Sequence, residues 1–268
     1  MSLSRSDCEQ AAEDLHQAEL AGRQIGLLSH RHPGMDMDDA YAIQSALIDK
    51  KRASGRTIIG WKIGLTSKAM QAALGINIPD SGVLFDDMTF ENGDVAPKGC
   101  FIQPRVEAEI AFVMKSPIAG ENVTREQVIA ATDYVAPSLE ILDTRILRKD
   151  PETRKTRSVV DTIADNAANA GIVLGDKRHD VDAHDLRWVG AIVKRNGEVE
   201  ETGLGAGVLN DPLESIVWLA RRMATYGQKI EAGQIILSGS FIRPLECPPG
   251  TKIAADFGDF GSVRISFG

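Results

Sequence analysis

The segment from Val106 to Val113 constrains this chain most, because it places two acids on a strand that otherwise belongs in a core. Glu107, Ala108, Glu109, Ile110, Ala111, Phe112 and Val113 read as a strand, in which residues i and i+2 share a face. Val106, Ala108, Ile110 and Phe112 then line one side. The other side carries Glu107 and Glu109 and continues as Ala111 and Val113, so the acids stand at the lip of a packed layer. Glu140 repeats the situation in Ser138–Leu142, sharing a face with Leu142. A desolvated carboxylate is costly unless it is paired or binds a metal. Three oxygen donors with few cysteines or histidines nearby suit a hard cation, Mg²⁺ or Mn²⁺, better than zinc. The competing reading makes all three ordinary exposed strand glutamates, the usual fate of a lone E-x-E.

With 268 residues the chain is long enough to bury a full core. Its formal charge of −8, from 30 basic and 38 acidic residues with no basic stripe, argues against nucleic-acid and anionic-membrane partners. No apolar run approaches a membrane span and no signal-peptide core opens the sequence, so a cytoplasmic protein is expected. Cys8, Cys100 and Cys247 are too few and too scattered for a disulfide framework or a zinc site.

Residues 1–56 have helical spacing. Ala11, Leu15, Ala18 and Leu20 mark one amphipathic segment, and Asp38-Asp39 opens a second through Ala40, Ile43, Ala46 and Leu47. Ser29–Gly34 is the loop between them. Residues 57–268 read as a β-rich part of the same structural unit, with strands at Thr57–Gly64, Glu107–Met114, Ser138–Leu142, Gly171–Leu174, Trp188–Arg195, Gln234–Ser238 and Ser262–Phe267. Asn196-Gly197 is a hairpin turn, and helices are expected at Arg125–Ala131 and Pro212–Met223. The class is α+β, without regular βαβ alternation.

Lys62 is the second candidate for chemistry. Ile59, Trp61, Ile63 and Leu65 form an apolar face, while Lys62 shares its own face with Gly60 and Gly64. Bare backbone beside an amine leaves room for a ligand, although a solvent-facing lysine on an edge strand fits the same pattern. Asp80 lies in Ile78-Pro79-Asp80-Ser81-Gly82, which reads locally as a turn with an aspartate cap. Asp165-Asn166 either caps the following segment or reaches a ligand, and local reasoning favours the cap. Gly203-Leu204-Gly205-Ala206-Gly207 lacks the spacing and βαβ context of a dinucleotide loop. His30 and His32 fall in a Pro/Gly loop without partners, and no G-x-S-x-G elbow occurs.

Taken together, Gly60–Met70, Pro104–Glu109, Pro137–Glu140, Asp150–Thr153, Asp161–Gly171 and Ser238–Pro244 closely resemble the hydratase/decarboxylase branch of the fumarylacetoacetate-hydrolase-like superfamily, over nearly the whole chain. The resemblance implies an α+β fold, a fumarylacetoacetate-hydrolase-like β-rich roll with a helical N-terminal region. It also implies a homo-oligomer, a pentamer or decamer. Glu107, Glu109 and Glu140 fall on the branch's metal-binding acids, and Lys62 and Asp80 on its acid–base residues. Ser240, Arg243 and Leu65 are candidates for substrate contact. Ser240 falls where hydrolase relatives carry a hydroxyl residue, but Ser-Gly-Ser-Phe replaces a hydrolase-type Thr-Gly-Thr. Arg243 either meets a distal carboxylate or is a surface arginine.

The implied activity is metal-assisted hydration of a small unsaturated 2-oxo dicarboxylate, 2-oxohept-4-ene-1,7-dioate of homoprotocatechuate degradation, to 4-hydroxy-2-oxoheptanedioate. Hydration of 2-hydroxypenta-2,4-dienoate and decarboxylation of 4-oxalocrotonate use the same chemistry and stay open. So does a catalytically silent, complex-forming subunit, against which the intact acids and lysine count.

Overall fold

The computed structural model describes residues 3–74 and 76–268. Its N-terminal region holds α1 (Arg5–Leu20), a single turn α2 (Leu28–Arg31) and α3 (Met37–Ala53). Capping boxes start both long helices, Ser4 with Asp7 and Asp36 with Asp39. The start of α3 therefore lies one residue before the predicted Asp38-Asp39 opening. Ala11, Leu15 and Ala18 are buried as their spacing predicts, whereas Leu20, at the helix end, is 63% exposed. The predicted loop contains α2, and His30 within it is exposed. Leu15, Leu28, Ile43 and Leu47 form one core with Ile146, Ile163 and Ala164, so these helices are anchored on a later loop and on the short helix Val159–Ala164.

The strands are β1 (Ile58–Gly64), β2 (Asp80–Phe85), β3 (Thr89–Phe90), β4 (Val95–Ala96), β5 (Arg105–Met114), β6 (Thr132–Leu142), β7 (Asn169–Leu174), β8 (Gly190–Arg195), β9 (Glu198–Leu204), β10 (Ile235–Leu237), β11 (Leu245–Glu246), β12 (Lys252–Asp256) and β13 (Ser262–Phe267). Eight of them form a mixed sheet in the order β2-β1-β10-β5-β6-β7-β3, with β11 beside β5. The other five form a second sheet, β4-β13-β12-β8-β9. Ile110, Phe112, Leu139 and Ile141 meet Val193, Ile253, Val263 and Ile265 in the main core, with the helix Pro212–Thr225 contributing Ile216, Leu219 and Met223. The face of β5 predicted to be apolar faces that core.

Of the strands that differ from the sequence reading, three bear most on the site and the core. Pro79-Asp80-Ser81-Gly82 composes like a turn, but Asp80 begins β2, which pairs antiparallel with β1 through Gly64↔Asp80 and Lys62↔Gly82. β6 starts at Thr132, six residues before the predicted Ser138. β12 carries too little apolar pattern to be read from sequence, yet pairs with β8 and β13. Asn196 and Gly197 make the predicted hairpin turn, both at positive φ (55° and 95°). No helix among the described residues is long and apolar enough to cross a membrane.

Candidate active site

Strand register assembles the site. Glu107 lies directly across from Glu140, and Glu109 is two residues on along β5. The three acids therefore share the face of the large sheet opposite the main core, which continues beyond them as Ala111 packed with Leu84, Ile172 and Leu237. One oxygen from each acid lies within 4.8 Å of the others, the one group of metal-ligand type found among the described residues. Glu109 and Glu140 are buried, and Glu107 is half-buried against a cavity of about 720 Å³. Glu109 Oε2 accepts a 2.6 Å hydrogen bond from the Gly239 amide. Glu109 Oε1 and both Glu140 oxygens are buried without a hydrogen-bond partner, although Lys62 Nζ stands 3.3 Å from Glu140 Oε1 as an ion pair.

Burial, and then the charge of Glu140, pushes the Glu107 carboxyl up to about 8, and raises Glu109 well above the usual carboxylate range. Glu140 is raised as well, mainly by burial. Acids so crowded repel one another unless a cation lies among them. Converging, unsatisfied carboxylate oxygens fit a hard divalent ion, the donor type that Mg²⁺ and Mn²⁺ favour.

Lys62 reaches the same face from β1, because Lys62 pairs with Leu237 of β10 and Leu237 pairs with Ala111 of β5. Its amine is buried and donates to the Ala167 carbonyl at 3.3 Å. Burial lowers the lysine's affinity for its proton, but Glu140 and Asp80 outweigh burial and hold the ammonium well above its ordinary value. Gly64 is needed beside it. A Cβ there would collide with Asp80 Oδ1 and crowd Lys62 Nζ, so the bare position makes space for both side chains. Gly60 differs from the expectation, since a Cβ there would strike the Ile235 carbonyl and close strand approach uses up its bareness. Asp80 is buried, and its Oδ1 has no hydrogen-bond partner. Burial raises its pKa, opposed by Lys62 and by the Gly64 amide.

The substrate-contact candidates line the same cavity but sit differently. Leu65 is half-buried in a left-handed conformation (φ 54°), its carbonyl accepting from Gln71 Nε2 at 2.7 Å. Ser240 is half-buried, with Oγ donating to the Ile242 carbonyl at 2.9 Å. Arg243 is 84% exposed and paired with Glu201 at 2.6 Å, a rim position.

Sequence reasoning overlooked other wall residues: Arg105, Arg148, Arg157, Ala167 and Ala168. Arg105 carried a signal, since it precedes Glu107 by two residues on the same strand face. The others sit on loops and turns, where no periodicity announces a side chain's direction. Asn166, Ala167 and Ala168 all have positive φ, and the Asn166 amide holds this turn against the backbone of Val83 at 2.8 and 2.9 Å. The expectation that Asp165 is a cap is corrected. Its carboxylate is buried and bonds Arg145 Nε at 2.5 Å and the Arg145 amide at 2.9 Å. A second cavity of about 840 Å³ lies elsewhere, around Arg125 and His184. Arg125 there is already paired with Asp211 and Glu214, and the three-acid group is not part of it.

Comparison with known proteins agrees with this geometry. No protein-family model matches the chain. It is 49% identical over 256 residues to 2-oxo-hept-4-ene-1,7-dioate hydratase of Escherichia coli, covering 96% of each chain. It is 41% identical over 259 residues to 2-keto-4-pentenoate hydratase of Paraburkholderia xenovorans (strain LB400), covering 97% of this chain and 94% of that one. Among solved structures it resembles 4-oxalocrotonate decarboxylase from Pseudomonas putida G7, complexed with magnesium and adipate, at TM-score 0.93 and 35% identity over 99% of both chains. A fumarylpyruvate hydrolase from Pseudomonas aeruginosa shares the fold at TM-score 0.59 and 12% identity, covering 79% of this chain and 88% of that one. The chain therefore belongs to the family of these hydratases and the decarboxylase, has the fold of fumarylacetoacetate-hydrolase-like proteins, and is a lyase.

Proposed function

We propose that this enzyme adds water to 2-oxohept-4-ene-1,7-dioate, giving 4-hydroxy-2-oxoheptanedioate, with Glu107, Glu109 and Glu140 holding Mg²⁺ or Mn²⁺. The observation that carries the reading is the three-acid group, with buried, unpartnered oxygens on Glu109 and Glu140, set against a cavity that Glu107, Lys62 and Asp80 line. The 49% identity to a hydratase of that substrate supports the choice among related activities, and the magnesium and adipate held by the decarboxylase relative support the metal and a dicarboxylate ligand.

When bound, a divalent ion supplies a Lewis acid that favours the enolate form of a 2-oxo acid. The chain's own residues do the rest. Lys62, kept cationic by its acidic neighbours, stabilises negative charge developing at the C2 oxygen. Asp80 has a free oxygen, and burial brings its pKa towards that of a proton carrier. It takes a proton from C3 and returns it to C5, which moves the double bond into conjugation with the 2-oxo group. Water then adds, its hydroxyl going to C4 and its proton to C3. Ser240 and Leu65 line the cavity along the carbon chain. Assembly into a homo-oligomer is part of the same proposal. The exposed apolar side chains Trp188, Ile192, Val199 and Leu204, on and before the β8–β9 hairpin, give such an assembly a surface to cover.

The test is an ultraviolet assay on the five- and seven-carbon dienoates, with and without chelator, together with measurement of released CO₂. Chelator-sensitive loss of the seven-carbon substrate without CO₂ supports hydration. Stoichiometric CO₂ would move the assignment to decarboxylation, and no turnover with metal present would remove the enzymatic proposal.

A further inference from the structure

We propose that Arg105, Arg148 and Arg157 form a subsite for the substrate's distal carboxylate, so that this chain selects dianionic over monoanionic 2-oxo acids; the inference rests on the hydratase reading above. The sequence suggested Arg243 for that role. Arg243 is unsuited to it, because its guanidinium is exposed at the rim and neutralised by Glu201.

Three other guanidiniums line the cavity, and the carboxylates near them are committed elsewhere. Asp143 accepts two 2.7 Å bonds from the amides of Ile102 and Gln103. Asp165 is taken by Arg145. Glu246 pairs with Arg105 Nη2 at 2.6 Å but is 68% exposed, and it leaves Arg105 Nε buried without a partner. Arg148 donates to the Gln103 carbonyl at 3.1 Å, and Arg157 donates to the Thr144 hydroxyl. Among the described residues neither has a carboxylate within ion-pair distance. Their charges act on one another: burial, then Arg105 and Arg157, pull Arg148 down to about 10. Burial also lowers Arg157, with Asp165 partly offsetting it. Gathering like charges at a half-dry wall is costly, and an anion in the cavity removes that cost.

The placement matches a molecule with two charged ends. Arg105 and Glu107 share one face of β5 at i and i+2, about 7 Å apart along the strand. The cavity floor thus changes within two residues from a cationic end to the acidic metal-ligand group, on the scale of a seven-carbon chain. The five-carbon monoacid would leave the arginine end unmet.

The experiment compares kcat/KM for 2-oxohept-4-ene-1,7-dioate and 2-hydroxypenta-2,4-dienoate in the Mg²⁺-loaded wild type and in Arg148→Met, Arg157→Met and Arg148→Lys. In each Met variant the seven-to-five-carbon ratio is expected to fall about 10- to 100-fold, the worth of a charge-assisted hydrogen bond. The loss should lie mainly in KM, with partial recovery in Arg148→Lys. An unchanged ratio in both Met variants overturns the subsite. If one Met variant does not fold, the other decides together with Arg148→Lys, whose single ammonium should still lower the ratio. If the wild type acts on neither dienoate, the hydratase reading fails, but calorimetry of saturated probes still decides the subsite. Heptanedioate should then bind more tightly than heptanoate in the wild type and lose that advantage in Arg148→Met, whereas equal binding of the two would overturn it.

Discussion

Asp165 and the pair Glu109–Glu140 are buried to the same degree, yet they solve the problem of a desolvated charge in opposite ways. Asp165 bonds the Arg145 guanidinium at 2.5 Å and its amide at 2.9 Å, and its own carbonyl accepts from Arg145 Nη2 at 2.7 Å. Arg145 is thereby closed as well, and the pair pins the 144–146 loop against the turn that follows the helix Val159–Ala164. Glu109 and Glu140 keep three oxygens without a hydrogen-bond partner, and Lys62 is ion-paired with Glu140 at 3.3 Å. Burial plus charge therefore does not mark a functional site by itself; unsatisfied valence does. One acid is part of the scaffold. The others keep oxygens that the fold leaves without a hydrogen-bond partner.

The sharpest way to break this contrast is to neutralise one acid of each kind. Glu140→Gln should lower turnover by about 10³-fold, since it removes a metal-ligand charge from a preorganised site. The metal-free variant should lose less stability than Asp165→Asn, because stranding the Lys62 ammonium is offset by removing a charge that repels Glu107 and Glu109. Calorimetric titration with Mg²⁺ and a thermal melt of the chelated protein check both halves, and a metal-free loss as large as that of Asp165→Asn would make Glu140 a structural residue. Asp165→Asn should do the reverse. Leaving Arg145 buried and half-partnered should cost about 3–5 kcal/mol of folding stability, read by urea denaturation, with Mg²⁺ affinity changed little. A stability loss below about 1 kcal/mol would place Asp165 with the spare acids.

How far the sequence disclosed this contrast depends on strand geometry. The i, i+2 rule was enough to put Glu107 and Glu109 on one face and the core residues on the other. It could not show that Glu140 stands opposite Glu107, because cross-strand register is a long-range property. The resemblance of the motifs supplied that grouping. Asp80 looked like a turn residue because proline, serine and glycine surround it. The structure spends Gly82 on close packing against the Asn166 carbonyl, within a strand. Asp165 looked like a cap because its partner, Arg145, lies 20 residues away. Arg148 and Arg157 were illegible for the same reason, being aimed by a loop whose path no periodicity encodes. The helical N-terminal region was the easiest to read, since α1 and α3 bury faces spaced at three and four residues and carry their own caps.

Lys62 sharpens the comparison, because it is the cation that pairs with one of the open acids, Glu140. Lys62→Met should lower turnover by about 10²-fold, the scale of electrostatic or acid–base help from one side chain. Mg²⁺ affinity should stay within a few-fold of wild type or rise, as a competing positive charge is lost. Near-wild-type turnover would remove Lys62 from the chemistry, and a large loss of metal binding would turn it into a support for the acids.

The smallest effect tests whether closed ion pairs elsewhere behave like Asp165. Glu19 of α1 bonds Lys51 Nζ at 2.5 Å and Arg56 Nη1 at 2.8 Å, with its own side chain 24% exposed. Burial alone would raise its pKa, but the charges of Lys51 and Arg145 outweigh it and bring Glu19 down to about 2. A folded-state value below the unfolded one means that the native state holds its proton less tightly. The associated stability is then complete above about pH 5 and disappears as the pH falls towards 2. Water around the partly exposed carboxylate limits the contribution to about 2 kcal/mol at most. The difference in denaturation free energy between wild type and Glu19→Gln should be constant from pH 8 to about pH 5 and shrink steadily below it. A difference independent of pH would mean that Glu19 stabilises α1 by packing and neutral hydrogen bonds, and closed pairs in this protein would then be distinguished from the open acids by shape alone.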